Sequence, residues 1–556
     1  MHALGTRTLI GFGLLLSLAL TGLAGAGIVQ AQSVPPDSTS LPKAPSRSLP
    51  PKTLDGEFGD WDVLGQISTR RDGIDALALA PDLTAVSLDC DADSVWLYLS
   101  FAEEVNLQAL DMPLTLLVDV DTPQQGATGG YLPGADLAII FSPTDVERGS
   151  LATKPASGPK RATEHGQGVV VRRVNPDGGA GETLSPASLG LAMAPAHASR
   201  QFELRLDRTA ERFAGKSGAV RAMILRPTTE KETTRVEILE DVEITRVVLL
   251  PREATAGKIA KVEATALAKP ADAPLRVVSW NAELGAHLKN PEPFSATLKG
   301  INPDVVLWQE LGKEATAESL AEWMNTHVGG DGSPWTAIVS GGDLRTGVVA
   351  RAPLAPAPFL DGLKRRDEKG DRDVRVSGAI LERDGKRILF ASLHLKCCGR
   401  INSKEDETRL AEAKAIHDAI QQASAKLAEA GTPLNGIVVG GDFNLVGARA
   451  PLLTTAEKLD LDGSDLDIVP TFQLDRRSNA TWRSTGNDFL PGRLDWVLLS
   501  GSSLTIRQSF VFSAEDLSEQ AVSTLALPAS ALKEPSDHQP VVVDLALTAP
   551  TTGGRP

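Results

Sequence analysis

Cysteine is nearly absent: the 556 residues contain three, Cys90, Cys397 and Cys398. That excludes a disulfide-stapled scaffold, which needs several pairs to compensate for a small core. No cysteine–histidine array with zinc spacing occurs among the eight histidines, and no cysteine–histidine pairing suggests a cysteine-nucleophile hydrolase. Basic charge is also short, the net charge being −15. This argues against tight non-specific binding of nucleic acid, which relies on a basic surface. It does not exclude a nuclease, because a divalent metal can offset local acidity. Beyond the first thirty residues no apolar run approaches the ~18 residues needed to span a bilayer, so the mature chain is expected to lack stable membrane insertion.

The apolar run that does exist lies at the start. Arg7 supplies a positive segment, Leu9 to Leu23 is apolar, and Val29-Gln30-Ala31 places small residues where a leader would be cut. An uncleaved anchor is the alternative; the glycines and small-residue exit favour a signal peptide over 1–31 and a secreted or periplasmic protein. No cysteine follows that would carry a lipid.

A chain of 556 residues, 42% hydrophobic and 23% charged, exceeds one ordinary core, and two domains are expected. Residues 32–52 are rich in Pro and Ser and read as a disordered linker. Residues 53–251 contain short apolar runs, among them VWLYLSF (95–101), DLAIIF (136–141) and QFELRL (201–206), separated by Gly, Pro and Asp. That pattern predicts an all-β sandwich. An Ala- and Lys-rich linker covers 252–272. From 273 to 549 strand-like runs alternate with helical stretches at 314–327 and 405–429, which predicts an α/β domain; 550–556 reads as a disordered tail.

Polar residues cluster at the ends of the strand-like runs in this second domain. Asn281 follows VVSW, Glu310 follows VVLWQ, and His394 lies in FASLHLK. Asp442 and Asn444 follow IVVGG, Asp495 sits in GRLDWVLL, and Asp537-His538 precedes PVVVDL. One acid at a strand end is an ordinary turn former or cap. Six such positions carrying only Asn, Glu, His and Asp point to a shared cleft, because strand ends hold side chains rigidly.

SWN (279–281), QE (309–310), LH (393–394), GDFN (441–444), RLDW (493–496) and SDH (536–538) together resemble the endonuclease/exonuclease/phosphatase superfamily, in the family's order. This superfamily includes pancreatic deoxyribonuclease, abasic-site endonucleases, inositol polyphosphate phosphatases and bacterial sphingomyelinases. The resemblance implies a four-layer α/β sandwich, two central sheets flanked by helices, with its site at one edge. It implies that Glu310 is the main ligand of a divalent metal, usually Mg²⁺ with Mn²⁺ or Ca²⁺ as alternatives, with Asn281 beside it. Asp537 and Glu283 are further candidate ligands. His394, Asp442, Asn444, Asp495 and His538 are the implied catalytic set, His538 and Asp495 forming a dyad. Either the dyad or Asp442 would move the proton.

Other features are read more plainly. Trp280, Trp308 and Trp496 are expected as core under the site, His287 as a residue that either edges the cleft or does not, and His417 as surface. Cys397 and Cys398 form either a vicinal disulfide or two free thiols. Arg400 and Arg409 are candidates for a substrate phosphate, against a solvated surface. KRRDEKGDRDVR (364–375) reads as an exposed loop. In the first domain, LDGEFGDWD (54–62) and LLVDVDTPQQGATGG (116–130) resemble family 9 carbohydrate-binding-like modules, which implies a polysaccharide or cell-surface ligand. Asp119, Asp121 and Asp136 are candidates for a structural Ca²⁺ site or an acidic turn.

The expected function is an extracytoplasmic metal-dependent phosphoesterase that cuts phosphodiester bonds of nucleic acid. The alternatives are a phosphomonoesterase, a lipid-headgroup phosphodiesterase, or a non-catalytic surface-binding protein.

Overall fold

Alternating burial marks strand residues 201–206, where Phe202, Leu204 and Leu206 are buried and Gln201 and Arg205 intermediate, with buried Glu203 the exception. In the computed structural model the described residues are 52–61, 68–69, 83–90, 94–111, 113–119, 135–143, 167–176, 180–207, 217–230, 233–241, 245–248 and 261–547, the last without 331, 368–369, 485–487 and 534. The leader over 1–31, Asp121, residues 252–260 and the tail lie outside them.

Two antiparallel sheets form the N-terminal half. One runs 68–69, 83–90, 94–105, 199–207, 192–194; the other runs 233–241, 217–230, 114–119, 137–141, 169–174, 180–184, with 245–248 beside 217–230. Leu97, Leu99 and Phe202 of the first bury against Leu116, Ile139 and Val171 of the second, closing the expected sandwich. Its Glu203 is fully buried and accepts N–H bonds from Asp55 (2.7 Å), Gly56 (2.8 Å) and Trp61 Nε1 (3.1 Å). It thereby ties the LDGEFGDW segment down.

In the C-terminal half the strands are apolar along their whole length, as strands covered on both faces must be. We number those that carry the site β1 Leu275–Asn281, β2 Val305–Leu311, β3 Lys386–His394, β4 Gly436–Asp442, β5 Asp495–Leu499 and β6 Val541–Leu547. One six-stranded sheet holds β2, β1 and β6 side by side; the other holds β3, β4 and β5. Leu307, Val277 and Val543 of the first pack on Phe390, Val438 and Val497 of the second. Helices cover the outer faces, Pro291–Ile301 through Phe294 and Leu298, and α1 Lys404–Glu429 through Ala413, Ile416 and Ile420. This is the expected four-layer sandwich.

Inside the first sheet Arg276 is buried and pairs bidentately with Asp544, both contacts 2.7 Å, while Nη1 donates to Leu267 O and Ile301 O. Leu267 lies within the segment read as linker. Residues 261–272 are instead packed on the domain: Val262 N donates to Asp516 O (2.8 Å) and Lys269 bridges to Asp304. The charged stretch from 364 also departs from expectation. Lys364–Asp367 and Gly370–Asp373 pair as a hairpin, and Arg365 stands 3.7 Å from the buried Glu412.

The sandwich docks directly on the second domain. Leu54 N donates to Arg477 O and Asn479 N to Leu54 O; Val169 N donates to Asp488 O (2.7 Å) and Ala198 N to Gly447 O (2.7 Å). Asn106 Nδ2 donates to Val446 O, and its Oδ1 accepts from Ile401 N.

Candidate active site

Topology alone brings the polar residues together. β1 and β2 are parallel, as are β3 and β4, so Asn281, Glu310, His394 and Asp442 all lie toward carboxyl ends at one edge. β5 and β6 are antiparallel to β4 and β1, so their amino ends reach the same edge. These ends carry Asp495 and the His538 that precedes Val541. His394, Asp442 and Asp495 are register partners across the second sheet. The carboxyl ends of parallel strands are where open α/β sheets hold ligands.

Local backbone then aims each group. The pairing of β2 shifts register between Trp308 and Leu311, and Glu310 has φ 51°. This bulge turns its side chain outward while Gln309 stays buried, a strained geometry of the kind that re-aims functional groups. Gly441 has φ 151°, and a Cβ there would meet Leu393 O at 1.9 Å. Glycine is thus required for β4 to lie so close to β3 just before Asp442.

At the centre, His538 Nδ1 lies 2.8 Å from Asp495 Oδ2. Thr481 Oγ1 donates to the same oxygen at 2.7 Å and accepts the N–H groups of Leu494 and Asp495. The imidazole's Nε2 faces Asp442 Oδ2 at 3.8 Å and Asn281 Nδ2 at 3.5 Å. Burial alone would depress this imidazole, but Asp495 and Asp442 outweigh it and raise it to about 10. Burial raises the Asp442 carboxyl to about 7, with His538 working against the rise and Asp495 and Glu310 adding to it. Asp442 accepts from Asn444 N (2.9 Å), Asn444 Nδ2 (2.9 Å) and Asn281 Nδ2 (3.2 Å).

Opposite stands a cluster that can hold a cation. Glu310, His394 and Asp442 each offer one ligand atom, and these lie within 4.8 Å of one another. His394 Nε2 is 3.6 Å from both Glu310 Oε1 and Asp442 Oδ2. Arg375 Nη1 lies 3.3 Å from His394 Nδ1. A guanidinium can only donate, so Nδ1 is the acceptor there. Burial first, then Arg375, holds this imidazole well below its usual range, so it is neutral with its proton on Nε2. The anionic oxygens and few neutral partners suit a hard divalent ion, and the residues present fit one.

Glu283 and Asp537 form a rim beside this centre. Asp537 N donates to Glu283 Oε2 (3.1 Å), and Trp482 Nε1 donates to Asp537 Oδ2 (3.0 Å). Burial and then the Asp537 charge raise the Glu283 carboxyl. Beneath, Trp280 and Trp308 are buried and stacked with centroids 5.5 Å apart, while Trp496 is covered by the Arg493 guanidinium at 3.7 Å.

Some assignments are corrected, and the open alternatives at His287 and at Cys397 and Cys398 are decided. Arg409 is fully buried and donates to Lys396 O (2.5 Å), Cys398 O and Asp406 Oδ1, so it braces a loop and cannot meet a substrate phosphate. Arg400 is taken by Asp111 of the sandwich domain. His287 does not edge the cleft: it is buried between Trp308 and Trp323, and burial lowers it to about 4. His417 is mostly covered, its Nε2 lying 2.9 Å from Glu457 O. Cys397 and Cys398 are free thiols with sulfurs 2.8 Å apart. Arg375, Thr481 and Trp482 were not anticipated. Arg375 ends a stretch whose mixed charge resembles surface, and the other two follow strand-poor sequence without a recognisable spacing.

Fold and site together define a metal-dependent phosphoester hydrolase. Residues 278–538 match the model of the Endonuclease/Exonuclease/phosphatase family, and the match takes in every strand end from Asn281 to His538. Over that span the chain is similar to this family. Among curated proteins none matches the chain. Solved structures similar to it include the human Nocturnin catalytic domain with bound sulfate, at 18% identity over 52% of this chain and 97% of that one, TM-score 0.32. Another is the 3′ phosphatase NExo from Neisseria bound to product DNA hairpin, at 15% identity over 49% and 98%, TM-score 0.29. A third is beta toxin from Staphylococcus aureus, at 16% identity over 48% and 99%, TM-score 0.30.

Proposed function

We propose that this chain is an exported, Mg²⁺-dependent phosphodiesterase that hydrolyses nucleic acid, with Glu310 as principal metal ligand. The observation that carries the reading is the His538–Asp495 dyad, 2.8 Å apart, facing Asp442 across from the Glu310–His394 cluster. Asp442 lies within reach of the same ion and His394 stands beside it with its Nε2–H facing the site, with Asn281 between Asp442 and His538 and with Glu283 and Asp537 at the rim. When bound, the metal supplies Lewis acidity and a template for the phosphate.

The side chains divide the remaining work. In-line attack on phosphorus needs a proton acceptor for water and positive charge beside the equatorial oxygens. His538, held charged by Asp495 and Asp442, is a donor to a phosphoryl oxygen and not a base in the resting site. Asp442, raised to about 7, accepts the water's proton near neutral pH. Asn444 and Asn281 orient the Asp442 carboxylate by donating to its Oδ2. His394 donates its Nε2–H toward the phosphoryl or leaving oxygen, its ring fixed by Arg375.

The apolar leader over 1–31 supports export, and among the described residues no helix is long and apolar enough to cross a membrane. Mature protein should be given plasmid DNA, RNA, bis(p-nitrophenyl) phosphate, p-nitrophenyl phosphate and a phospholipid, with Mg²⁺, Mn²⁺, Ca²⁺ or EDTA. EDTA-sensitive cleavage of nucleic acid is expected. Hydrolysis of the monoester or phospholipid alone would replace the nuclease reading.

A further inference from the structure

The sandwich domain is not merely tethered to the hydrolase. A cleft of about 630 Å³ lies between the two domains. One wall is the sandwich turn around Ala187 together with Arg205; the other is formed by Arg483, Phe489 and Lys533; its floor includes Glu283 and Asp537. Glu283 and Asp537 are also the rim of the catalytic centre, so the cleft adjoins that centre.

The walls are held, not loosely apposed. Residues 473–484 grip the sandwich through Arg477, Ser478 and Asn479, and residues 488–493 through Asp488 and Leu490. Between those points Thr481 binds Asp495, Trp482 binds Asp537, and Arg483 N donates to Asp537 O. The segment that carries one cleft wall therefore also orients the catalytic acids.

We infer that the accessory sandwich forms part of the substrate site, and that the interdomain cleft takes a single-stranded segment of nucleic acid next to the scissile phosphodiester. This rests on the nuclease reading above. The volume falls in the ~300–1,000 Å³ range of pockets that enclose a drug-sized ligand, room for about one unpaired nucleotide. Phe489 is 39% exposed, large for an apolar ring beside a charged cleft, and offers a face on which a base stacks. Arg205 comes from the sandwich, and Arg483 and Lys533 from the hydrolase; Arg483 also pairs with Glu515 at 2.9 Å. In a protein whose net charge is −15, these three cations offset the cleft's Glu283, Glu515 and Asp537 and are the groups a backbone phosphate would meet.

The test uses the full mature chain and two variants. Ala187→Trp fills the cleft from the sandwich side at an exposed position, and Phe489→Ala removes the ring. Wild type and variants, each checked for folding by thermal unfolding, are given a single-stranded oligonucleotide, its duplex and methyl p-nitrophenyl phosphate. The expected result is faster cleavage of the single strand than of the duplex by wild type. Both variants should lose about tenfold in kcat/KM on the single strand, with the small diester unchanged. Variants that cut the single strand like wild type overturn the inference and leave the nuclease reading intact, as does wild type that cuts the duplex equally fast. Equal losses on oligonucleotide and small diester in both variants also overturn it, because the effect is then on the chemistry. Wild type that turns over the small diester but neither nucleic acid removes the nuclease reading and this inference with it.

Discussion

His538 Nδ1 and Asp495 Oδ2 lie 2.8 Å apart although the two residues are 43 positions apart in the chain. Thr481 fixes the same carboxylate oxygen from a third segment, and the pair is almost wholly screened from water. A carboxylate so placed both orients the imidazole and keeps it charged. Asp495→Asn removes the charge and retains the shape. We predict a fall in kcat of about 10²–10⁴-fold, with the metal affinity unchanged. Equal kcat in the variant would dismiss the dyad from the reaction.

Metal dependence has its own test. Glu310→Gln keeps the hydrogen bond from Leu284 N within reach but halves the donor strength at the centre of the cluster. The expected result is at least about 100-fold weaker Mg²⁺ binding by titration calorimetry, with thermal stability of the metal-free protein little altered. Undiminished Mg²⁺ affinity would move the ion to Glu283 and Asp537.

Buried Arg276 illustrates how costly a broken pair is. Arg276→Met leaves Asp544 buried, charged and without its bidentate partner, and frees the carbonyls of Leu267 and Ile301. The loss should be about 3–5 kcal/mol, read from the urea midpoint of the C-terminal domain. Adding Asp544→Leu should recover much of it. A double variant no more stable than the single would mean the packing, not the orphaned charge, dominates.

The sandwich should be pH-sensitive. Burial raises the Glu203 carboxyl from 4.5 to about 8, against the N–H groups of Gly56, Trp61 and Asp55 that favour its ionised form. A group whose folded value is raised contributes stability that is full below the unfolded value and is lost as pH rises through the folded one. The sandwich transition should therefore weaken between about pH 4.5 and pH 8, by up to ~1.4 kcal/mol per pH unit. Glu203→Gln should flatten that profile in differential scanning calorimetry. A parallel slope in wild type and variant would place the titration elsewhere.

Much of the catalytic half was legible before any coordinates. Strands such as Leu275–Asn281 are apolar from end to end, so the polar residue that terminates each one stands out, and six such ends in order identify a site. The helix at 405–429 was equally plain, since Ser403 caps it and Gly431 and Pro433 lie just past its end. Arginines were the weak point. Arg375, Arg400 and Arg409 sit in similar charged surroundings, yet one orients His394, one crosses to the other domain and one is buried. Nothing local separates these fates, because a long side chain's partner is set by which loop arrives opposite it.

The sequence by itself determined a strand-rich N-terminal half, an α/β sandwich after it, and the strand ends that carry polar residues, because burial period and terminal polarity are properties of neighbouring residues. Tertiary structure alone decided that Asp442 and His538 face each other, that Arg375 and Thr481 serve them, and that the sandwich closes a cleft over the rim formed by Glu283 and Asp537. Those relations depend on the packing angle of two sheets and on which loops one domain presents to the other, and distances of that kind are not encoded in any short stretch of residues.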